Sequence, residues 1–214
     1  GITVEGANIL TRNLIIFGQG AIRCHPFLFR EMEAVANRDV AGLDAALSGH
    51  IKLAMSNITR SLFHGLTRGR LLPAPQHGVA GHYYRQFGRM SLAFAVTTEL
   101  ALASLGGSLK RRESLSGRLG DVLSLLYLGS AVLKRFEDDG RPDEDLPLLT
   151  WAMEDSLFTI QESLKGVLQN FPVPGMGRLI KWIIFPFGSS YSPPGDETIR
   201  QVAEILLTEN DARD

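Results

Sequence analysis

The 214 residues carry a formal net charge of −1, with 44% hydrophobic and 21% charged side chains, the balance of a globular chain rather than a disordered one. That neutrality excludes the global positive field on which nucleic-acid binding relies. A single cysteine, Cys24, excludes an intramolecular disulfide and a cysteine-rich zinc site, and fits a reducing, cytoplasmic compartment.

The chain opens on Val4-Glu5-Gly6-Ala7-Asn8-Ile9, an acid on a short glycine-containing loop ahead of a helix. A carboxylate flanked by Ile2, Val4 and Ile9 is a candidate general base. Apolar surroundings raise its pKa towards neutrality, and Gly6 lets a substrate approach the backbone. Asn8 can cap a helix carrying Ile9, Leu10, Leu14, Ile15 and Phe17, which Gly18-Gln19-Gly20 should end. That glycine pair has neither a preceding strand nor a third glycine at dinucleotide spacing, so it reads as a helix stop and not as a phosphate cradle.

Pro26 predicts a second helix to about Ala36, with Phe27, Met32 and Val35 on or near one face. Asp39 should start a short helix through Val40, Leu43, Ala46 and Leu47. A separate amphipathic stretch follows from about Ile51 to Leu66, with Ile51, Met55, Ile58, Leu62 and Leu66 as core positions. Arg68-Gly69-Arg70-Leu71-Leu72-Pro73-Ala74-Pro75 breaks helical patterning with two prolines. It is read as a hinge, with anion binding by Arg68 and Arg70 as the functional alternative to a solvated linker.

Three long helices follow: about Ala80 to Leu105, closed by Gly106-Gly107; Arg118 to about Phe136, closed by Asp138-Asp139-Gly140; and Leu146 to Leu168, ending at Asn170-Phe171-Pro172. Three antiparallel helices need a fourth, which either the Ile51 stretch or a terminal helix through Ile199, Val202, Ile205 and Leu206 can supply. No segment alternates with period two, and no uninterrupted apolar run reaches the 18 to 20 residues, roughly, of a membrane span. The expected class is all-α, an antiparallel helical bundle with additional short helices.

The polar candidates are few. His25, His50, His64, His77 and His82 show no paired-ligand spacing, so hydrogen-bonded roles are expected and no metal. Asp121 and Glu99 sit in apolar helices, where internal pairing with Arg118 or Arg89 is expected. Lys110-Arg111-Arg112 can bind the phosphates of a coenzyme or an acidic head group, or simply solvate a turn. Within residues 176–187, Leu179, Ile180, Ile183, Ile184 and Phe187 can share a face with Arg178 and Lys181 off it. Such a helix can lie at a membrane surface or pack on the bundle or a subunit partner.

Gly1-Ile2-Thr3-Val4-Glu5-Gly6-Ala7-Asn8-Ile9-Leu10-Thr11-Arg12 resembles the Tyr-Glu-Gly-Thr-x-x-Ile-x-Arg segment of the acyl-CoA dehydrogenases. Phe17 to Pro26, Leu105 to Glu113 and Arg118 to Ser124 are similar to the C-terminal region of the large bacterial acyl-CoA dehydrogenases of fatty-acid degradation. The resemblance implies an oxidoreductase of β-oxidation that converts acyl-CoA to trans-2-enoyl-CoA. Glu5 would be the catalytic base, Gly6 would lie against the substrate thioester, and Ala7, Asn8 and Ile9 would lie against the FAD. Arg12 would have either a structural role or a cofactor contact. Two departures stand out: Val4 replaces an aromatic, and Ala7 replaces a threonine whose polar contact to flavin a methyl group cannot make.

The resemblance further implies that residues 1–70 hold the last active-site loop and helices of the dehydrogenase core and 76–214 a helical-bundle extension. It makes the chain a fragment, inactive alone, whose flavin is bound mainly by an upstream region. An electron-transfer flavoprotein-type acceptor, a homo-oligomer and a cytoplasmic location, with peripheral contact at the inner membrane through 176–187, complete the expectation. The alternative is a noncatalytic helical module for oligomerisation or membrane association.

Overall fold

A computed structural model of the chain describes Thr11 and residues 19–207. Its α-helices, in chain order, are α1 (Gly20–Cys24), α2 (Leu28–Ala36), α3 (Val40–Leu66), α4 (Gly78–Leu105), α5 (Glu113–Asp138), α6 (Leu146–Gln169), α7 (Met176–Ile184) and α8 (Asp196–Leu207). Short 3-10 turns at Gly106–Arg111 and Asp143–Asp145 lead into α5 and α6, and the described residues contain no strand. The class is the expected all-α bundle.

α6 illustrates how the bundle is built. Its apolar residues recur every three or four positions, so Leu149, Met153, Leu157, Ile160, Leu164 and Leu168 form one stripe, and all six are buried. The stripe meets Phe87, Met90, Ala93 and Val96 of α4, Val122, Leu133 and Phe136 of α5, and Ile180, Ile183 and Ile184 of α7 in a single core. A smaller cluster of Ala101, Leu109, Leu115, Leu119 and Val167 closes one end. α7 lies across α3, α4 and α6, while α8 rests on α6 without burying a residue. α4 is long and apolar enough by composition to cross a membrane, yet here it is the central helix against which α3, α5, α6 and α7 pack.

α4 and α5 approach closely at Gly129, where an added Cβ would stand 2.0 Å from Cε1 of the buried Phe87 ring. Gly129→Ala therefore forces the ring to repack and should cost about 1–3 kcal/mol. A lower urea midpoint at unchanged slope is expected, and an unchanged midpoint would contradict the close approach.

Several expectations are corrected. α5 begins at Glu113, ahead of Arg118; the apolar positions of the helix expected from Ile9 to Phe17 lie outside the described residues. α3 is one continuous helix, begun by the Asp39 side chain accepting from the Gly42 N–H at 2.9 Å. It runs through Gly49, whose missing side chain leaves room for the Phe27 ring. At 27 residues it is about 40 Å long, more than the core beneath it, and its first half packs on α2. Ile51 and Met55, near that overhanging part, and Leu66 in the last turn are exposed rather than core, and Met32 and Val35 on α2 are exposed too. Periodicity reveals that an apolar stripe exists but not what covers it.

The apolar face read on 176–187 is also split. Ile180, Ile183 and Ile184 are driven into the core, while Leu179, Trp182 and Phe187 stand 51%, 61% and 61% exposed. Gly177 makes this possible, since its would-be Cβ lies 2.0 Å from the Leu168 carbonyl oxygen and any larger residue would lift α7 off α6.

Candidate functional site

Glu5, Gly6, Ala7, Asn8, Ile9 and Arg12 lie outside the described residues. The described chain resumes at residue 19, where α1 and the turn after it meet α3 and α4. Gly20, Cys24 and His25 form one wall of a cavity of about 520 Å³, and Leu53, Phe94, Leu102 and Leu123 supply much of the rest. Glu99 stands at its polar end.

Glu99 does not pair with Arg89. Its carboxylate receives His25 Nε2 at 3.3 Å and His50 Nε2 in a shorter contact, while His50 Nδ1 lies 2.7 Å from Glu31 Oε1. The two imidazole centroids are 4.6 Å apart, and Phe27 stacks on His50. The four polar residues come from α2, α3, α4 and the turn before α2. Their sequence separations of 19 to 74 are why no local spacing announces them. Each side chain is 11–20% exposed, so the pairs are only partly screened by water.

Hydrogen-bond geometry fixes the protons. His25 Nδ1 accepts the backbone N–H groups of Phe27 at 3.2 Å and Leu28 at 3.0 Å, holding the chain at the start of α2. Its proton is therefore on Nε2, which donates to Glu99. His50 faces an acceptor on both sides, so both its nitrogens donate and the ring is an imidazolium. Burial opposes that charge, but the hydrogen bonds to Glu99 and Glu31 outweigh it and raise the His50 pKa above 6.5.

His25, His50 and Glu99 offer ligand atoms within 4.8 Å of one another, a spacing that can hold a divalent cation. A metal at His25 would have to displace the Nε2 proton that the backbone donors keep there. The arrangement is better suited to a charged hydrogen-bond network that ties α2 and α3 to α4.

A raised histidine pKa carries a definite sign. His50 contributes stability that is fully present below pH 6.5, its unfolded value, and that is lost as pH rises through the higher folded value. Urea midpoints of the wild type should therefore fall across that window relative to those of His50→Gln. Parallel pH profiles for the two proteins would contradict the imidazolium assignment.

Residues 22–214 match the family described as acyl-CoA dehydrogenase, C-terminal, bacterial type. No solved structure matches the chain.

Proposed function

The chain belongs to the bacterial-type acyl-CoA dehydrogenase C-terminal domain family, and from that premise we propose that it is part of a flavin-dependent enzyme oxidising acyl-CoA to trans-2-enoyl-CoA in fatty-acid β-oxidation. The observation that carries the reading is the position of Val4-Glu5-Gly6, which precedes the matched residues 22–214 by little more than a dozen residues. Residues 1–70 would carry the last active-site loop and the helices behind it, and 76–214 the helical extension.

Glu5 would take the α-proton of the acyl thioester. In this reading the Glu5 carboxylate, flanked in sequence by Ile2, Val4 and Ile9, would lose hydration and become a stronger base, and Gly6 would leave room for the thioester to approach the backbone. FAD, when bound, supplies the acceptor for the β-hydride. The cavity beside Gly20 does not fit that group: Leu53, Phe94, Ala95, Leu102 and Leu123 make much of its wall, and Glu99 would repel a pyrophosphate. By their place in the motif, Ala7, Asn8 and Ile9 would contact the cofactor, with Asn8 the polar side chain nearest the place of the missing threonine. In this reading an upstream region would supply most of the FAD site, and an electron-transfer flavoprotein-type protein would be the electron acceptor. The full polypeptide is expected to purify with flavin and to form enoyl-CoA when an artificial electron acceptor is supplied. Absence of dehydrogenation across short, medium and long acyl-CoA substrates would overturn the reading.

A second reading, a helical module for self-association, has one observation in its favour. Met32, Val35, Leu47, Ile51 and Met55 are all exposed along α2 and the part of α3 up to Met55, a run of apolar surface that favours a covering partner. The two readings can hold for one polypeptide.

A further inference from the structure

We propose that the cavity between the α3–α4 turn, α4 and the segment Ser190–Tyr191 is a binding site for a phosphate ester. The site is independent of the catalytic reading above and uses none of its residues. Arg68, Arg70, His82, Arg85, Arg89 and Tyr191 line a space of about 340 Å³, and no carboxylate is among its lining residues. Arg111, Arg112 and Arg118 line another cavity, but Glu113 lines it too, so there the chain answers part of its own charge.

Arg89 carries the inference. It is 4% exposed, in the middle of α4, and has no ion pair among the described residues. One terminal nitrogen donates to Ser190 Oγ at 3.2 Å and Tyr191 Oη at 3.3 Å, and the other donates to the Ile184 carbonyl at 3.4 Å. Its Nε–H is buried with no partner among the described residues. The guanidinium also lies over the Phe185 and Tyr191 rings, at 5.9 and 5.7 Å. A buried cation held this firmly without a counter-charge is costly unless an anion completes it.

The rest of the cavity is arranged to the same end. Arg85 is half-buried beside Arg89 on α4, and Arg68, Arg70 and His82 are exposed at the rim. Partial desolvation of its ring and, second, the neighbouring Arg85 charge lower the His82 pKa. Arg68 sits at the helix-terminating position that favours glycine, with φ of +52°. There the Gly69 N–H bonds the His64 carbonyl and the Gln86 amide donates to the Arg68 carbonyl at 3.2 Å. Gln86 in turn accepts from Tyr191 Oη at 2.7 Å. Arg38 and Arg141 adopt the same left-handed conformation away from the cavity, so it is a general helix-end feature of this chain; at Arg68 it places a charge on the turn beside the cavity.

Four guanidinium groups match a multiply charged, many-oxygen anion better than a lone carboxylate. The volume exceeds that of inorganic phosphate and leaves room for whatever the phosphate esterifies. A soluble phosphorylated metabolite and a phosphatidate head group share this chemistry.

The test is thermal unfolding of the full chain titrated with inorganic phosphate, against sodium chloride at matched ionic strength. Phosphate is expected to raise the melting temperature and chloride not to. Arg89→Met can fail to fold, so the decisive variants are Arg68→Gly, whose backbone conformation suits glycine, and Arg85→Gln. Each should weaken phosphate binding about tenfold or more, while Arg178→Ala, outside the cavity, should not. Glycerol phosphate and phosphatidylcholine vesicles doped with phosphatidate then separate the sources. Binding of the first fixes a soluble ligand, and binding of the vesicles alone fixes a lipid. Equal response to phosphate and chloride with neither ester bound, or phosphate binding undiminished in both Arg68→Gly and Arg85→Gln, would overturn the proposal.

Discussion

Ile183→Asp is expected to destabilise the chain by about 3–5 kcal/mol, whereas Trp182→Asp, one residue away, should change stability by less than about 1 kcal/mol. Ile183 is 6% exposed in the core formed by α4, α5, α6 and α7, and Trp182 is 61% exposed. The first substitution removes a buried aliphatic side chain and strands a carboxylate without a partner. The second places a charge in water beside Lys181. Denaturant midpoints of the two variants check this. Trp182 emission should be that of a largely solvated indole in buffer, and comparable destabilisation by both substitutions would show that α7 is turned otherwise.

Glu5→Gln in the full polypeptide should leave folding and flavin content intact and slow flavin reduction by acyl-CoA by about 10²-fold or more. The amide is nearly isosteric but cannot accept a proton at neutral pH, so the general-base contribution is removed while the shape of the loop is kept. Stopped-flow reduction under anaerobic, single-turnover conditions reads this step apart from product release. A rate near that of the wild type would mean that another group is the base.

Helix identity is largely legible in the sequence because it rests on local rules. The stripe from Leu149 to Leu168 follows from residue spacing alone, and Gly106 and Asp138-Asp139-Gly140 end their helices where expected. What is not legible depends on distant parts of the chain. The break expected between Leu47 and Ile51 does not occur, and Gly49, within the continuous helix, is where the Phe27 ring packs against α3. Ile51 and Met55 have the right spacing for a core, yet half of α3 extends past the core that would receive them.

The sites divide the same way. Glu99 stands out in the sequence as an acid in an apolar helix, but its partners are His25 and His50, contributed by elements far away in the chain. Arg89 has no acidic partner of the kind expected for it among the described residues. It instead holds hydroxyl and carbonyl oxygens and keeps one donor unpartnered among the described residues. Arg68 and Arg70 have the sequence signature of a solvated linker, since nothing local shows that the turn folds back over α4. The candidate base and its neighbours, Glu5 to Ile9, are legible only through resemblance, because a Glu-Gly pair ahead of a helix is too common to specify chemistry by itself.

The central claim is that Glu5 removes the α-proton of an acyl-CoA, and it can be isolated from redox chemistry. An acyl-CoA analogue with sulfur in place of the β-carbon has no β-hydrogen to give up, so only deprotonation at the α-carbon remains open to it. With this analogue in D₂O, the full polypeptide should exchange the α-hydrogens for deuterium, as followed by mass spectrometry, and Glu5→Gln should reduce that exchange about 10²-fold or more, towards the uncatalysed rate. Exchange at the wild-type rate in the Glu5→Gln protein would contradict the account.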